Sequence, residues 1–204
     1  TMKSKGCLIG GGALLAIVVI VGLWLMSVYN GLVPMQENVT AQWSNVENTY
    51  QKRMDLINQT VKTVQGAADY EKGALTGVIE ARAKATSTQI NVDDVSQLTE
   101  ENIAKYQQAQ DQLKGSFDRL LMSVERYPEL KAVVNFQGLQ ATIESMEAEI
   151  LFERKKYNES AKIYNTKIKK VPTNIIANMT GFTEKGYFKS AAGSENAPNI
   201  EFSR

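Results

Sequence analysis

From Gly6 to Gln36 the chain carries no charged side chain, and the part from Leu8 to Tyr29 is dominated by Leu, Ile, Val, Ala and Gly. As an α-helix rising 1.5 Å per residue this part is about 33 Å long, close to the roughly 30 Å hydrocarbon core of a bilayer. It reads as one transmembrane helix. Trp24 and Tyr29 fall toward its C-terminal end, where amphipathic rings favour the headgroup layer, and Lys3 and Lys5 flank the other end. The run exceeds the apolar core of a secretory signal peptide and passes into Tyr29-Asn30-Gly31-Leu32-Val33-Pro34 instead of a small-x-small cleavage site. We therefore expect an uncleaved signal anchor over 7–29, with a cytoplasmic stub at 1–6. The two lysines before the span, set against a first later basic residue at Lys52, place the N-terminus inside and the rest outside the cytoplasm.

Within the span, Gly6-x-x-x-Gly10 and Gly12-x-x-x-Ala16 put small residues on one helix face, which lets a second such helix approach closely. Cys7, the only cysteine, reads as a membrane-facing thiol, since six residues are too few to form the apolar signal of a lipoprotein.

The chemistry open to the rest of the chain is narrow. There is no histidine, which removes the usual general base near neutral pH and the commonest metal ligand. Cys7 lies at the start of the apolar run, so the polar part holds no thiol nucleophile, disulfide or thiolate zinc site. Lys and Arg number 23 against 22 Asp and Glu, a balance without the basic field on which nucleic-acid binding depends. No nucleic-acid partner is expected. The 204 residues leave room for one modest domain beyond the anchor.

After Pro34, apolar residues recur at Val39, Trp43, Val46, Tyr50, Met54, Ile57, Val61, Val64 and Ala68, in steps of three and four. This is one face of a long amphipathic helix, which weakens at Gly66, Gly73 and Gly77 and resumes through Leu75 and Val78 to about Ala85. Pro34 can kink the chain or occupy the first turn of a new helix. Thr86 to Ser96 reads as a connection, and Thr99 before Glu100 and Glu101 as an N-cap with acids in the first turn. A second helix carries Ile103, Tyr106, Leu113, Phe117, Leu120 and Val124 and ends near Tyr127-Pro128. A third carries Phe136, Leu139, Ile143, Met146, Ile150, Tyr157, Ala161, Tyr164 and Ile168 at a spacing near 3.5, close to that of a coiled-coil seam, and stops at Val171-Pro172. No sustained period-two alternation speaks for strands. The expected fold is all-α: an N-terminal transmembrane helix, an antiparallel bundle of long helices over 30–171, and a C-terminal tail over 172–204 with a short helix near 174–179.

Candidate chemistry is sparse. Glu149 and Glu153 share a helix face at a spacing that could hold a cation or pair acid with base, but Arg154, Lys155 and Lys156 follow directly, and mixed charge of this kind reads as a solvated face. Trp43, Tyr50, Ile57, Phe117, Phe136, Ile143, Tyr157 and Tyr164 fall on the stripes and are assigned to the core. We expect no catalytic residue, cofactor or metal.

Several blocks resemble the LemA family of bacterial membrane-anchored helical proteins. They include Tyr29-Asn30-Gly31-Leu32-Val33, Trp43-Ser44-Asn45-Val46, Arg53-Met54-Asp55-Leu56-Ile57 and Tyr127-Pro128-Glu129-Leu130-Lys131. The C-terminal blocks Tyr157-Asn158, Tyr164-Asn165-Thr166-Lys167-Ile168, Val171-Pro172-Thr173-Asn174, Gly181-Phe182 and Ala197-Pro198 follow in order. Asn58 stands where the family's proline is expected, which implies a straighter first helix. The resemblance implies a protein of the bacterial inner membrane with a long-helix bundle, and transfers no activity or ligand.

Two functions of different class fit these observations. The first is a non-enzymatic membrane-anchored scaffold or adaptor, a homo-oligomer in membrane lipid that presents helix faces to an unidentified membrane or extracytoplasmic protein. The alternative is an extracytoplasmic ligand-sensing or substrate-presenting bundle acting through a membrane partner.

Overall fold

The computed structural model describes residues 2–66, 72–90 and 94–190. Ala68, Asn91 to Asp93 and the Ala197-Pro198 block lie outside them. Every regular element among the described residues is helical: α1 (Met2–Gln65), α2 (Lys72–Ser87), a 3-10 turn (Val95–Gln97), α3 (Glu100–Glu125), α4 (Pro128–Val133), α5 (Phe136–Lys169) and α6 (Thr173–Thr180).

The 64 residues of α1 make a rod about 96 Å long that runs from the apolar stretch into the bundle without a break. Pro34 neither starts nor ends a helix; it sits inside α1. Its ring removes one backbone donor, the partner of the Asn30 carbonyl, at an exposed position, while Leu32, Val39 and Trp43 on the other face are fully buried and hold the helix on course. The stripe that softens at the glycines belongs to two helices, α1 ending at Gln65 and α2 beginning at Lys72.

α5 packs antiparallel along α1. Tyr164 Oη donates to Gln36 Oε1 at 3.2 Å, and the Asn38 amide donates to Ser160 Oγ at 3.0 Å. Farther along, Lys52 Nζ donates to Glu149 Oε1 at 2.6 Å, so equal steps along the two helices stay in register. α3 meets α1 through Trp43 with Tyr106 and Arg53 with Gln110, α2 folds back on α3, and α6 closes the end of the bundle against α5 and α1. Thr99 caps α3 by accepting from the Asn102 amide at 3.2 Å, with Glu100 and Glu101 in the first turn.

The core has two apolar clusters with a polar layer between them. The one nearer the span gathers Leu32, Trp43, Tyr50, Tyr106, Tyr157, Tyr164, Phe182 and Phe188; the farther one gathers Ile57, Val78, Leu113, Phe117, Leu120 and Phe136. Buried Arg53 divides them, donating to Glu147 Oε1 at 3.0 Å and to the Gln110 carbonyl and side-chain oxygens, each at 2.9 Å. Its guanidinium also lies 4.9 Å from the Tyr50 ring centre. A buried cation needs such partners, because an unpaired charge away from water is strongly destabilising; here they serve the two terminal nitrogens, while Nε has no hydrogen-bond partner among the described residues. Ile143, assigned to the core, is half-buried: it packs against the farther cluster and lines a narrow crevice with Phe117 and Met146 beside the Arg53 and Glu147 pair.

Candidate functional site

Two features distinguish this bundle: the exposed apolar stretch of α1, and the C-terminal segment 182–190, which threads back through the helices. Leu14 to Met26 project from α1 uncovered by the other described residues. This is the one helix among the described residues long and apolar enough to cross a membrane. Gly12 and Ala16 lie on it, exposed, and a Cβ at Gly12 would meet nothing within 4 Å. Trp24 and Tyr29 are part-exposed near its end, and the Tyr29 ring meets Phe182 edge-on at 5.6 Å.

The tail is held by side-chain amides that read its backbone. The Asn165 amide donates to the Lys185 carbonyl at 2.8 Å while the Lys185 N–H donates to Asn165 Oδ1 at 2.9 Å. Asn158 does the same for Phe188, at 2.8 and 2.9 Å, and Gln107 for Lys189, at 2.9 and 3.2 Å. Between these pairs the Gly186 N–H donates to the Leu98 carbonyl at 2.8 Å, and Tyr157 Oη donates to the Gly186 carbonyl at 3.2 Å. Three amides from α3 and α5 thus supply both donor and acceptor to a segment that has no neighbouring strand among the described residues.

Phe188 anchors the segment. Its ring stacks on Trp43 at 5.5 Å with 8° between the planes, meets Tyr157 edge-on at 5.5 Å, and has the Arg154 guanidinium 4.8 Å from its centre. Tyr106 packs on Trp43 at 5.3 Å and on Tyr50 at 5.4 Å, so three helices and the tail meet at one aromatic node. Burial pushes the phenol of Tyr50 up, those of Tyr106 and Tyr157 well up, and that of Tyr164 up to about 12. Lys185 is buried beside the node, its Nζ donating to the Val95 carbonyl at 2.9 Å; burial pulls its ammonium down, partly offset by Asp94.

Of the residues assigned to the core, Trp43, Tyr50 and Tyr157 come together here, with Tyr164 in the same cluster; Ile57, Phe117 and Phe136 are buried in the other. Glu149 pairs with Lys52 and Glu153 with Lys156, and no group of three potential metal ligands occurs among the described residues. The periodic reading missed the clamp. Asn158 and Asn165 stand seven residues apart, each directly after a core tyrosine, so that two polar groups border an apolar seam and require a partner from outside it.

Span, bundle and clamped tail together define a membrane-associated helical protein whose C-terminal segment completes its own core. The family model described as the LemA family matches residues 42–202, and the chain belongs to that family. Similar proteins include Magnetosome protein MamQ 2 and Magnetosome protein MamQ 1 of Paramagnetospirillum magneticum, each 28% identical over 194 residues, covering 87% of this chain and 70% of the relative. Magnetosome protein MamQ of Magnetospirillum gryphiswaldense is 26% identical over 178 residues, covering 80% of this chain and 65% of the relative.

Proposed function

We propose that the chain is a non-enzymatic, self-assembling membrane scaffold, anchored in the bacterial inner membrane with its bundle outside the cytoplasm. The observation that carries this reading is the continuity of α1: the helix that spans the bilayer is also the central rod of the core, so a load on the bundle reaches the membrane without a hinge. The tail clamp adds to the same stiffness by joining α3 and α5 over α1. The side chains gathered at the buried node are aromatic rings, amides and a cation, suited to packing and backbone pairing. Relatives named as magnetosome proteins support a role at a membrane.

Assembly has two surfaces on which to act. Gly12 and Ala16 leave one face of the span open to a second helix, and Leu151 and Phe152 stand exposed on the outer face of α5. Confinement to one membrane raises local concentration, so that individually weak contacts add up. Mass measurement of the full chain in native nanodiscs should give a defined oligomer. A monomer across several mild detergents and in nanodiscs at high loading, with no crosslink through a cysteine at Gly12 in native membranes, would refute self-assembly.

The alternative, a ligand-sensing or substrate-presenting bundle, is favoured by one feature, an open groove of about 840 Å³ between α2 and α3 lined by Glu80, Lys84, Asp111 and Arg119. A small molecule that copurifies with the chain and raises its thermal midpoint would favour that function over the scaffold.

A further inference from the structure

The register between α1 and α5 places the end of the bundle against the bilayer. Gln36 opposes Tyr164, Asn38 opposes Ser160 and Lys52 opposes Glu149, so Lys170 is level with about residue 30 of α1 and Lys162 with about residue 38. At 1.5 Å per residue, Lys167, Lys169 and Lys170 stand within about 6 Å of the Tyr29 level, and Lys162 within about 14 Å. The headgroup layer on each side of the hydrocarbon is roughly 5–8 Å deep, so Lys167, Lys169 and Lys170 lie within it, and Lys162 stands beyond it and reaches its outer edge only by extending its long side chain toward the membrane. These lysines are exposed, and Lys162, Lys167 and Lys170 form no ion pair among the described residues. Lys162, Lys167 and Lys170 line an open groove of about 910 Å³ with Met35, Ile163 and Tyr187, in which Glu159 is the one carboxylate. Glu184, also near this end, is held by Lys169 at 2.8 Å.

α6 adds an apolar surface at the same level. Its inner face, Thr173, Ile176 and Ala177, is buried, and the turn after it puts Phe182 on the Tyr29 ring. Val171, just before it, and Ile175 and Met179 within it recur every four residues on the opposite face, 78%, 57% and 77% exposed. An apolar stripe edged by lysines at the point where a span leaves the membrane has the composition of an interfacial helix.

We propose that this end of the bundle is a second lipid-binding surface, in which Val171, Ile175 and Met179 enter the boundary of the bilayer while Lys162, Lys167 and Lys170 hold anionic phospholipid headgroups. The proposal rests on the reading of α1 as a span and on neither choice of leaflet. The bundle would then be seated on the membrane at two places, the rod and α6, which sets its tilt.

The test uses the full chain with Cys7→Ser, in nanodiscs of phosphatidylcholine with or without phosphatidylglycerol, carrying one fluorophore-labelled cysteine at a time. Lipid bearing a quencher near the headgroup should suppress emission from Met179→Cys, lipid bearing it at mid-chain should suppress emission from a membrane-embedded control at Ile20→Cys, and neither should touch Met122→Cys on the far part of α3. Phosphatidylglycerol should deepen the loss at position 179, and Lys162→Gln with Lys167→Gln and Lys170→Gln should abolish that increment at an unchanged thermal midpoint. Quenching at position 20 without quenching at 179 would overturn the proposal and leave the anchor standing; no quenching at position 20 would remove the anchor on which it rests. A Met179→Cys disulfide between copies, without lipid quenching, would assign the face to a second copy and overturn it. Quenching at 179 that ignores both lipid charge and the lysine substitutions would overturn the role given to the lysines.

Discussion

At Gly186 one methyl group decides whether the tail can lie in its groove. A Cβ there would stand 2.5 Å from Glu100 Cα, 2.6 Å from Glu100 N and 2.8 Å from Thr99 C, all backbone atoms at the capped start of α3 that cannot swing aside. Gly186→Ala should destabilise the fold by about 1–3 kcal/mol, the usual range for overpacking, whereas Gly115→Ala, with open space around it, should not. Thermal midpoints of the full chain in one detergent check this, and equal midpoints for the two variants would remove the tail from the folded core. The tyrosines make a second residue-scale prediction. Unfolded phenols ionise near their ordinary 10.0, while Tyr164 keeps its proton until about 12 and Tyr50, Tyr106 and Tyr157 are also raised. Above about pH 10 the folded state therefore binds more protons than the unfolded one, so this stabilisation is whole below pH 10 and is lost as pH rises toward 12. Lys185 acts the other way, its lowered ammonium adding stability as pH climbs toward 10.5, but it is one group against four. The thermal midpoint should fall through this window while, with Tyr29, Tyr70, Tyr127 and Tyr187 replaced by Phe so that only these four phenols remain, absorbance at 295 nm stays low in the folded protein; early phenolate growth without unfolding would contradict the burial of the node.

Elements were legible in the sequence to the extent that one periodicity controlled them. The stripes through Trp43, Phe117 and Tyr157 mark α1, α3 and α5 because each is buried on one face against another helix. Pro34 misleads because its effect on a helix depends on whether the lost donor lies in the core or, as here, on an exposed face. The tail was opaque for a different reason: segment 182–190 has no period of its own, and its conformation is imposed by Gln107, Asn158 and Asn165, which lie 20 or more residues from the positions they hold. This makes the tail an element whose loss can be read optically. With Trp24→Phe, Trp43 is the one tryptophan left, fully buried and stacked on Phe188. Deleting residues 182–204 should open the node to water and shift its emission to the red, with easier proteolysis around the start of α3. Unchanged emission after deletion would show that α1, α3 and α5 close the core without the tail.

For the molecule as a whole the question left by its geometry is which side of the membrane holds the bundle. Two sets of lysines bear on it differently. Lys3 and Lys5 stand beside the apolar run in sequence and are present when it inserts, whereas Lys162, Lys167 and Lys170 follow it by more than a hundred residues and reach the boundary only after α5 has packed on α1. Orientation is set by basic residues within about 15–20 positions of the span, and none lies between Tyr29 and Lys52 on the C-terminal side. Folding therefore brings a basic rim to the bilayer without having influenced insertion, and the bundle is predicted outside the cytoplasm. Met122 suits the test: it is 57% exposed, and α3 runs parallel to α1, as Trp43 with Tyr106 and Arg53 with Gln110 show. Carried forward along both helices, that pairing puts Met122 about 50 Å from the Tyr29 level, clear of the membrane. In a Cys7→Ser background, Met122→Cys should react with an impermeant maleimide in intact spheroplasts to the same extent as after lysis. Reaction confined to lysed cells would place the bundle in the cytoplasm and reverse the topology, while the anchor, the clamp and the seating of α6 on lipid would stand on the other leaflet.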